Sequence, residues 1–288
     1  MSVGRLPEWF KTAKPDAKAY KGMEKLIRNK SLHTVCHEAN CPNKGKCFKD
    51  KSVTFMILGK NCTRNCSFCN VTYESPEMID EKEPENIADA VLELGLKHIV
   101  ITSVTRDDLE DGGASHFANV IRAIKNKDEK VNVEVLIPDL KADENSLNKV
   151  VDALPEVIGH NIETVPRLYS EVRPDADYQR SLKVLKLVKE MNQNIYTKSG
   201  LMVGLGETEE EVKAVMRDLR ANNCDILTIG QYLRPSNSHI EIKEYIHPDL
   251  FKTYENYAKE IGFKAVAAGP FVRSSFNALE TFNDANTI

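Results

Sequence analysis

Between residues 52 and 268 the sequence alternates short apolar runs with longer amphipathic ones, and no other feature narrows the fold as much. Ser52–Leu58, Lys97–Ser103, Val131–Ile137, Glu156–Asn161, Ile195–Val203 and Asp225–Tyr232 read as strands. The intervals read as helices over Pro84–Leu94, Ala114–Lys125, Ser146–Leu154, Tyr178–Met191, from Thr208 to near Asn222, and Pro248–Ile261. Pro84 suits a first helical turn, and Thr208 with Glu211 three residues on forms a capping box. Lys264–Ala268 reads as a final strand. Six consecutive strand–helix units with short connections imply an α/β fold, with a parallel sheet and the helices outside it. Six strands are too few to close an eight-stranded barrel. The expectation is a partial (β/α)6 TIM-type barrel, with N-terminal and C-terminal extensions over its open face. A doubly wound open sheet is the alternative. The expected division is 1–51, 52–262 and 263–288. In either architecture ligands belong at the carboxyl ends of the strands.

The first strand leads straight into Cys62-Thr63-Arg64-Asn65-Cys66-Ser67-Phe68-Cys69, three thiols spaced C-x3-C-x2-C. Three thiolates on one loop fit an iron–sulfur cluster better than a zinc cage, which uses paired C-x2-C knuckles. A four-iron cube held by three cysteines keeps one iron free for a non-protein ligand. A second triad, Cys36, Cys41 and Cys47, is spaced C-x4-C-x5-C, and Pro42 and Gly45 argue for a loop there. Six of the seven cysteines thus fall between Cys36 and Cys69, a distribution that suggests metal binding rather than disulfides. Cys224 stands apart, and a small packed side chain is the expectation for it.

Among 288 residues, 41% are apolar and 28% charged, as expected of a globular protein. No apolar run approaches the roughly 20 residues that span a bilayer, and the charged first 30 residues have no signal-peptide core, so the expected location is cytoplasmic. The net charge of −4 is uneven. Residues 1–51 carry 12 Lys/Arg and 5 Asp/Glu; the remainder carry 27 and 38. A helix is expected over Ala17–Asn29. The basic end is either a solvated arm or a surface for an acidic partner. No nucleic-acid-binding motif accompanies it.

The radical motif, Asn61 to Val71, resembles that of the radical S-adenosylmethionine (SAM) superfamily. There the open iron binds SAM, and one electron cleaves it to a 5′-deoxyadenosyl radical. Asp111-Gly112-Gly113 and Gly200 to Glu207 are similar to that superfamily's glycine-rich SAM contacts. More narrowly, Val35 to Asn43 with Cys47, His160 to Tyr169, Lys198 to Glu207, Gln231 to Ser236 and Gly269 to Phe276 resemble the lipoyl synthase family, in its order, over residues 31–278. Phe276 departs from the family's usual Tyr. The resemblance implies insertion of two sulfur atoms, at C6 and C8 of an octanoyl chain amide-linked to a lysine of a carrier protein. One SAM is consumed per insertion, and the sulfur comes from a sacrificial second [4Fe–4S] cluster. It implies Cys62, Cys66 and Cys69 at the radical cluster, and Cys36, Cys41, Cys47 and Ser275 at the auxiliary one. An alkoxide is a stronger base than a thiolate, so protonation at Ser275 would release its iron readily. Asn161, Glu163, Lys198 and Arg273 are candidates for contacting SAM or substrate. The implied partners are octanoylated lipoyl-carrier domains (2-oxoacid dehydrogenase E2 subunits and glycine cleavage H protein), an electron donor such as ferredoxin or flavodoxin, and an iron–sulfur carrier. No nucleic acid or membrane partner is expected. Another sulfur-inserting radical enzyme, a two-cluster electron-transfer protein and a zinc-stabilised module are the rivals. His37 is a candidate donor to the auxiliary loop, and Asp107 and Asp108 read as a solvated turn.

Overall fold

The computed structural model describes residues 6–10 and 17–287. Seven strands run parallel, side by side in sequence order: β1 Thr54–Ile57, β2 His98–Ser103, β3 Asn132–Leu136, β4 Val157–Gly159, β5 Tyr196–Val203, β6 Ile226–Gln231 and β7 Ala265–Gly269. Ile101 lies opposite both Phe55 and Val135, and Leu227 opposite both Ser199 and Val266. Six helices follow the first six strands in turn: α1 Glu83–Leu94, α2 Ala114–Lys127, α3 Glu144–Val151, α4 Tyr178–Met191, α5 Glu209–Ala221 and α6 Pro248–Glu260. The sheet is an open, curved partial barrel: among the described residues β7 has a single strand neighbour, β6. The Lys264–Ala268 run is therefore a full seventh strand, completing the series.

Local chemistry accounts for these elements. Residues of β1 and β6 are buried throughout, as parallel strands covered on both faces require. Asp143 and Asp177 accept from Ser146 N and Arg180 N to start α3 and α4. The Thr208–Glu211 capping box starts α5. Gly95, left-handed at φ 65°, stops α1.

The N-terminal region belongs to the same core. The predicted helix Ala17–Asn29 forms, and Met23, Leu26, Ile27 and Phe48 pack with residues of β1 to β4. A two-residue strand, His33–Thr34, pairs antiparallel with the outer edge of β1. The auxiliary-cysteine segment departs from the loop expectation. Val35–Glu38 and Lys44–Lys49 are short helices, and Gly45 sits inside the second. Only Pro42 lies outside both, so the glycine's modest helix penalty is outweighed by burial of Phe48. The C-terminal extension holds a helix that the sequence reading did not anticipate, α7 Ala278–Asn286. It lies across the barrel opening, with Phe282 against His98 and Tyr196 at the starts of β2 and β5 (ring centroids 5.5 and 5.9 Å). No described helix is long and apolar enough to cross a membrane.

Candidate active site

The cysteine loop after β1 is fastened at both ends and in the middle. Asn61–Cys62 pairs with Thr72–Tyr73, closing its base. Arg64 is 9% exposed, and its guanidinium makes two bonds to Asp107 (2.7 and 2.8 Å) and two to Asp139 (both 2.9 Å). Asp107 thus holds a buried arginine rather than marking a solvated turn. Asp139 also receives Arg180 at 3.2 Å and accepts from Lys141 N. It precedes three consecutive left-handed residues, Leu140, Lys141 and Ala142 (φ 44°, 55° and 52°), a strained turn that persists only where its surroundings hold it. On the far side Ser67 donates to Glu171 O (2.8 Å), and His239 Nε2 lies 3.0 Å from Cys69 O. Cys62 Sγ accepts from Thr105 N at 3.3 Å and Arg64 N at 3.5 Å.

The two cysteine triads, 26 positions apart at Cys36 and Cys62, are brought together in space. Asn70 Nδ2 donates to Glu38 O at 2.7 Å, tying one segment to the other. Asn43 Nδ2 donates to Phe271 O at 2.7 Å, tying the auxiliary segment to the C-terminal one. A cavity of about 330 Å³ at the carboxyl ends of the strands is lined by Cys36, Cys41, Cys69, Asn161, Glu163, Arg273, Ser274 and Ser275. Gly230 of β6 makes the C-terminal contribution possible, because a Cβ there would stand 2.1 Å from Val272 O.

The donor chemistry fits clusters better than single ions. Among the described residues no three His, Cys, Asp or Glu groups converge as a single metal ion needs, whereas the wider spread of a cube remains available to each triad. Burial pushes the thiols of Cys36 and Cys66 up to about 11 and those of Cys47 and Cys69 up to about 12. Their thiolates therefore require a compensating cation, which iron supplies.

Polar groups around the cavity leave room for a ligand. Asn161 Nδ2 donates to Glu163 Oε1 (2.9 Å), while Asn161 Oδ1 is buried without a partner. Glu163 is left-handed (φ 64°), and its backbone bonds both Gly200 O and Met202 N of β5 at 2.9 Å. Burial pushes its carboxyl up against the opposing pull of Arg173 and Asn161. Gly200 is required by close approach, since a Cβ there would meet Asn161 Oδ1 at 2.8 Å. Arg273 reaches the cavity with Nη1 bonded to Val272 O (2.6 Å), and Cys41 is the thiol that feels its charge.

Three expectations find different places. Lys198 lies inside the barrel, 2% exposed and paired with Glu134 at 2.7 Å, and it does not line the cavity. Burial alone would raise the Glu134 carboxyl, but Lys198 and His98 hold it below its ordinary value. Asp111-Gly112-Gly113 starts α2: Asp111 accepts from Gly113 N and Ser115 N, and the turn is off the cavity. His37 is occupied by Thr34 Oγ1 (2.7 Å) and Glu24. Cys224 is fully buried, as expected. The sequence reading passed over Arg173, which is 9% exposed beside Cys66 and Glu163. Its Nη1 donates to Asn161 O at 2.8 Å and its Nε has no partner. It carries no local signal beyond preceding Pro174. Arg64, a cation inside the C-x3-C-x2-C spacing, was visible in the sequence but given no role.

A three-cysteine loop after the first strand of a partial barrel, opening on a polar cavity, is the arrangement of a radical SAM enzyme. A family model of the radical SAM superfamily matches residues 56–219, and one of the N-terminal domain of lipoyl synthase matches residues 2–41. Curated lipoyl synthases from Alkaliphilus metalliredigens and Caldicellulosiruptor saccharolyticus are 54% and 56% identical, the first over 97% of both chains, the second over 98% of this chain and 99% of the relative. One from Caldanaerobacter subterraneus is 57% identical over 95% and 96%. Among solved structures, methylornithine synthase has a TM-score of 0.60 at 13% identity, covering 86% of this chain and 69% of that one. HydG, a maturase of the [FeFe]-hydrogenase, has a TM-score of 0.57 at 13% identity, covering 96% and 65%; both share the fold. The chain belongs to the lipoyl synthase family and is a sulfur-inserting radical SAM enzyme, using SAM and a [4Fe–4S] cluster.

Proposed function

We propose that Cys62, Cys66 and Cys69 hold the radical [4Fe–4S] cluster, and that Cys36, Cys41, Cys47 and Ser275 hold a second, auxiliary [4Fe–4S] cluster whose sulfur is inserted at C6 and C8 of a protein-bound octanoyl-lysine. The observation that carries this reading is the shared cavity: Cys69 of one triad lines it with Cys36, Cys41 and Ser275 of the other set. When bound, the first cluster supplies the electron that cleaves SAM, and the second supplies sulfur.

The protein's own groups position and enclose. Asn161 Oδ1 and Arg173 Nε, both buried and unpartnered, suit a ligand bearing a hydroxyl or amine and a carboxylate, as SAM does. Glu163 stands beside them as the acidic member, and Arg273 is placed for the auxiliary side or the substrate. Lys198, one shell removed, acts through Glu134 within the barrel. Phe68, Leu201, Met202 and Val272 give the cavity apolar wall for an acyl chain and keep water from a carbon radical. Residues 1–51 carry the auxiliary triad and 52–262 the first six strand–helix units. Residues 263–288 carry the last strand and the serine.

The substrates are lipoyl-carrier domains, of 2-oxoacid dehydrogenase acyltransferase subunits or the glycine cleavage H protein. A flavodoxin or ferredoxin provides electrons, an iron–sulfur carrier restores the cluster, and the location is cytoplasmic. The test is an anaerobic assay with an octanoyl-lysine peptide, SAM and a reductant, scoring lipoyl product by mass beside iron and sulfide analysis. Ser275→Ala is expected to lose sulfur insertion while still cleaving SAM. Full lipoyl formation by that variant would remove Ser275 from the auxiliary site.

A further inference from the structure

The auxiliary cysteines divide between two cavities. Cys36 and Cys41 line the cavity shared with Cys69, whereas Cys47 lines a second one, of about 570 Å³. The C-terminal segment divides in the same way: Ser274 and Ser275 line the first cavity and the next residue, Phe276, lines the second. A centre held by Cys36, Cys41, Cys47 and Ser275 is then a partition with access from two sides. On the reading proposed above, the front side is filled by SAM and the acyl chain during turnover, and two sulfur atoms leave with each product. Refilling through the front must wait for the product to go, but refilling from the rear need not.

We propose that the rear cavity is the port through which iron and sulfide reach the auxiliary cysteines, separate from the cavity in which the substrate reacts. Its size admits small ions and no folded domain. Its charged lining is balanced: Lys46, Lys51 and Lys97 against Asp50, Glu280 and Asp284. Iron arrives as a cation and sulfide largely as an anion, so a mouth without net charge turns neither away. Lys46 Nζ sits 4.9 Å from the centre of the Phe276 ring, an exposed contact weak enough to open and close as side chains turn over. Phe276 therefore lies at the gate of this port.

This inference rests on the assignment of the auxiliary triad, and its test separates the two. In a Cys62→Ala/Cys66→Ala/Cys69→Ala background only the auxiliary centre can form. That protein is stripped of iron anaerobically and given an iron salt, sulfide and dithiothreitol, and the return of iron–sulfur absorbance is timed. Leu279, 40% exposed on α7 and lining the rear cavity, is replaced by Trp to narrow the mouth and by Ala to widen it. Leu279→Trp is expected to slow reassembly at least fivefold, with Leu279→Ala at or above the parent rate. Saturating octanoyl-lysine peptide, which occupies the front, is expected to leave the parent rate unchanged. This arm needs no substitution on α7 and holds even if Leu279→Trp folds poorly. Parent-like reassembly in a folded Leu279→Trp protein, or a parent slowed by the peptide, overturns the port. A parent that regains no cluster at all overturns the auxiliary assignment itself, and the port with it.

Discussion

Asp139→Asn is the sharpest probe of how the radical loop is held. The carboxylate is fully buried, takes two bonds from Arg64 and one from Arg180, and supports the left-handed turn Leu140–Ala142. Removing one member of a buried ion pair costs about 3–5 kcal/mol. Asp107 stays in place and keeps one edge of the guanidinium bonded, so the lower end, about 3 kcal/mol, applies. That is about two powers of ten in the unfolding equilibrium. At roughly 2–4 °C per kcal/mol for a chain of this size, Tm falls by about 6–12 °C. The assay is thermal and urea unfolding of the iron-free, reduced protein by circular dichroism, for Asp139→Asn, Arg64→Met and the double variant. Coupling of about 1 kcal/mol or more is expected between the two positions. The pH dependence has a definite sign. Burial alone would raise the Asp139 carboxyl, but the Arg64 bonds hold it well below the usual range. Its stabilisation is complete above the unfolded value of about 3.9 and is lost as pH falls toward the depressed folded value. The gap between wild type and Asp139→Asn is therefore constant from neutrality to about pH 5 and shrinks in stronger acid. A Tm change under about 1 °C, or strict additivity in the cycle, would refute the clamp.

Gly230→Ala forces a Cβ against Val272 O and shifts the segment carrying Arg273 and Ser275. It is expected to lose the auxiliary iron, about half of the total, while the Cys62 triad keeps its share, as read by iron analysis and Mössbauer spectroscopy. Lys198→Met leaves Glu134 buried without its cation and is expected to destabilise by about 3 kcal/mol, with Lys198→Met/Glu134→Leu recovering most of the loss in urea titrations. A single variant of wild-type stability with weakened SAM binding would instead make Lys198 a direct contact. Reversing Lys11, Lys14, Lys18 and Lys21 is expected to lower turnover of a whole carrier domain several-fold more than that of an octanoyl-lysine peptide, and equal losses would remove the docking role. Lys11 and Lys14 lie outside the described residues, so this expectation stands on the charge of the sequence.

Much of the fold was legible because its signals are local. The strand–helix alternation, the Thr208–Glu211 capping box and the glycine stop after Leu94 depend on residues a few positions apart, and each forms where the spacing placed it. The cysteine triads were legible because cluster ligation from one loop imposes its own spacing. Helix α7 was not, since it starts at left-handed Asn277 without a side-chain cap and owes its place to Phe282 packing on His98 and Tyr196. Gly45 misled for the same reason: a local penalty of about 1 kcal/mol yields to burial of its neighbour Phe48.

The sequence by itself determined the α/β class, the order of the units, the two sets of thiols and the chemistry that they imply. Only the tertiary structure decided which polar groups are spent on the scaffold and which are left for a ligand. Lys198 meets Glu134 64 residues away, and Arg64 meets carboxylates 43 and 75 residues away, so these charges are neutralised inside the protein. Arg173 Nε and Asn161 Oδ1 end without partners on the cavity side. The physical reason is that a buried charge or dipole must be paired, and the partner is chosen by how the chain closes in space.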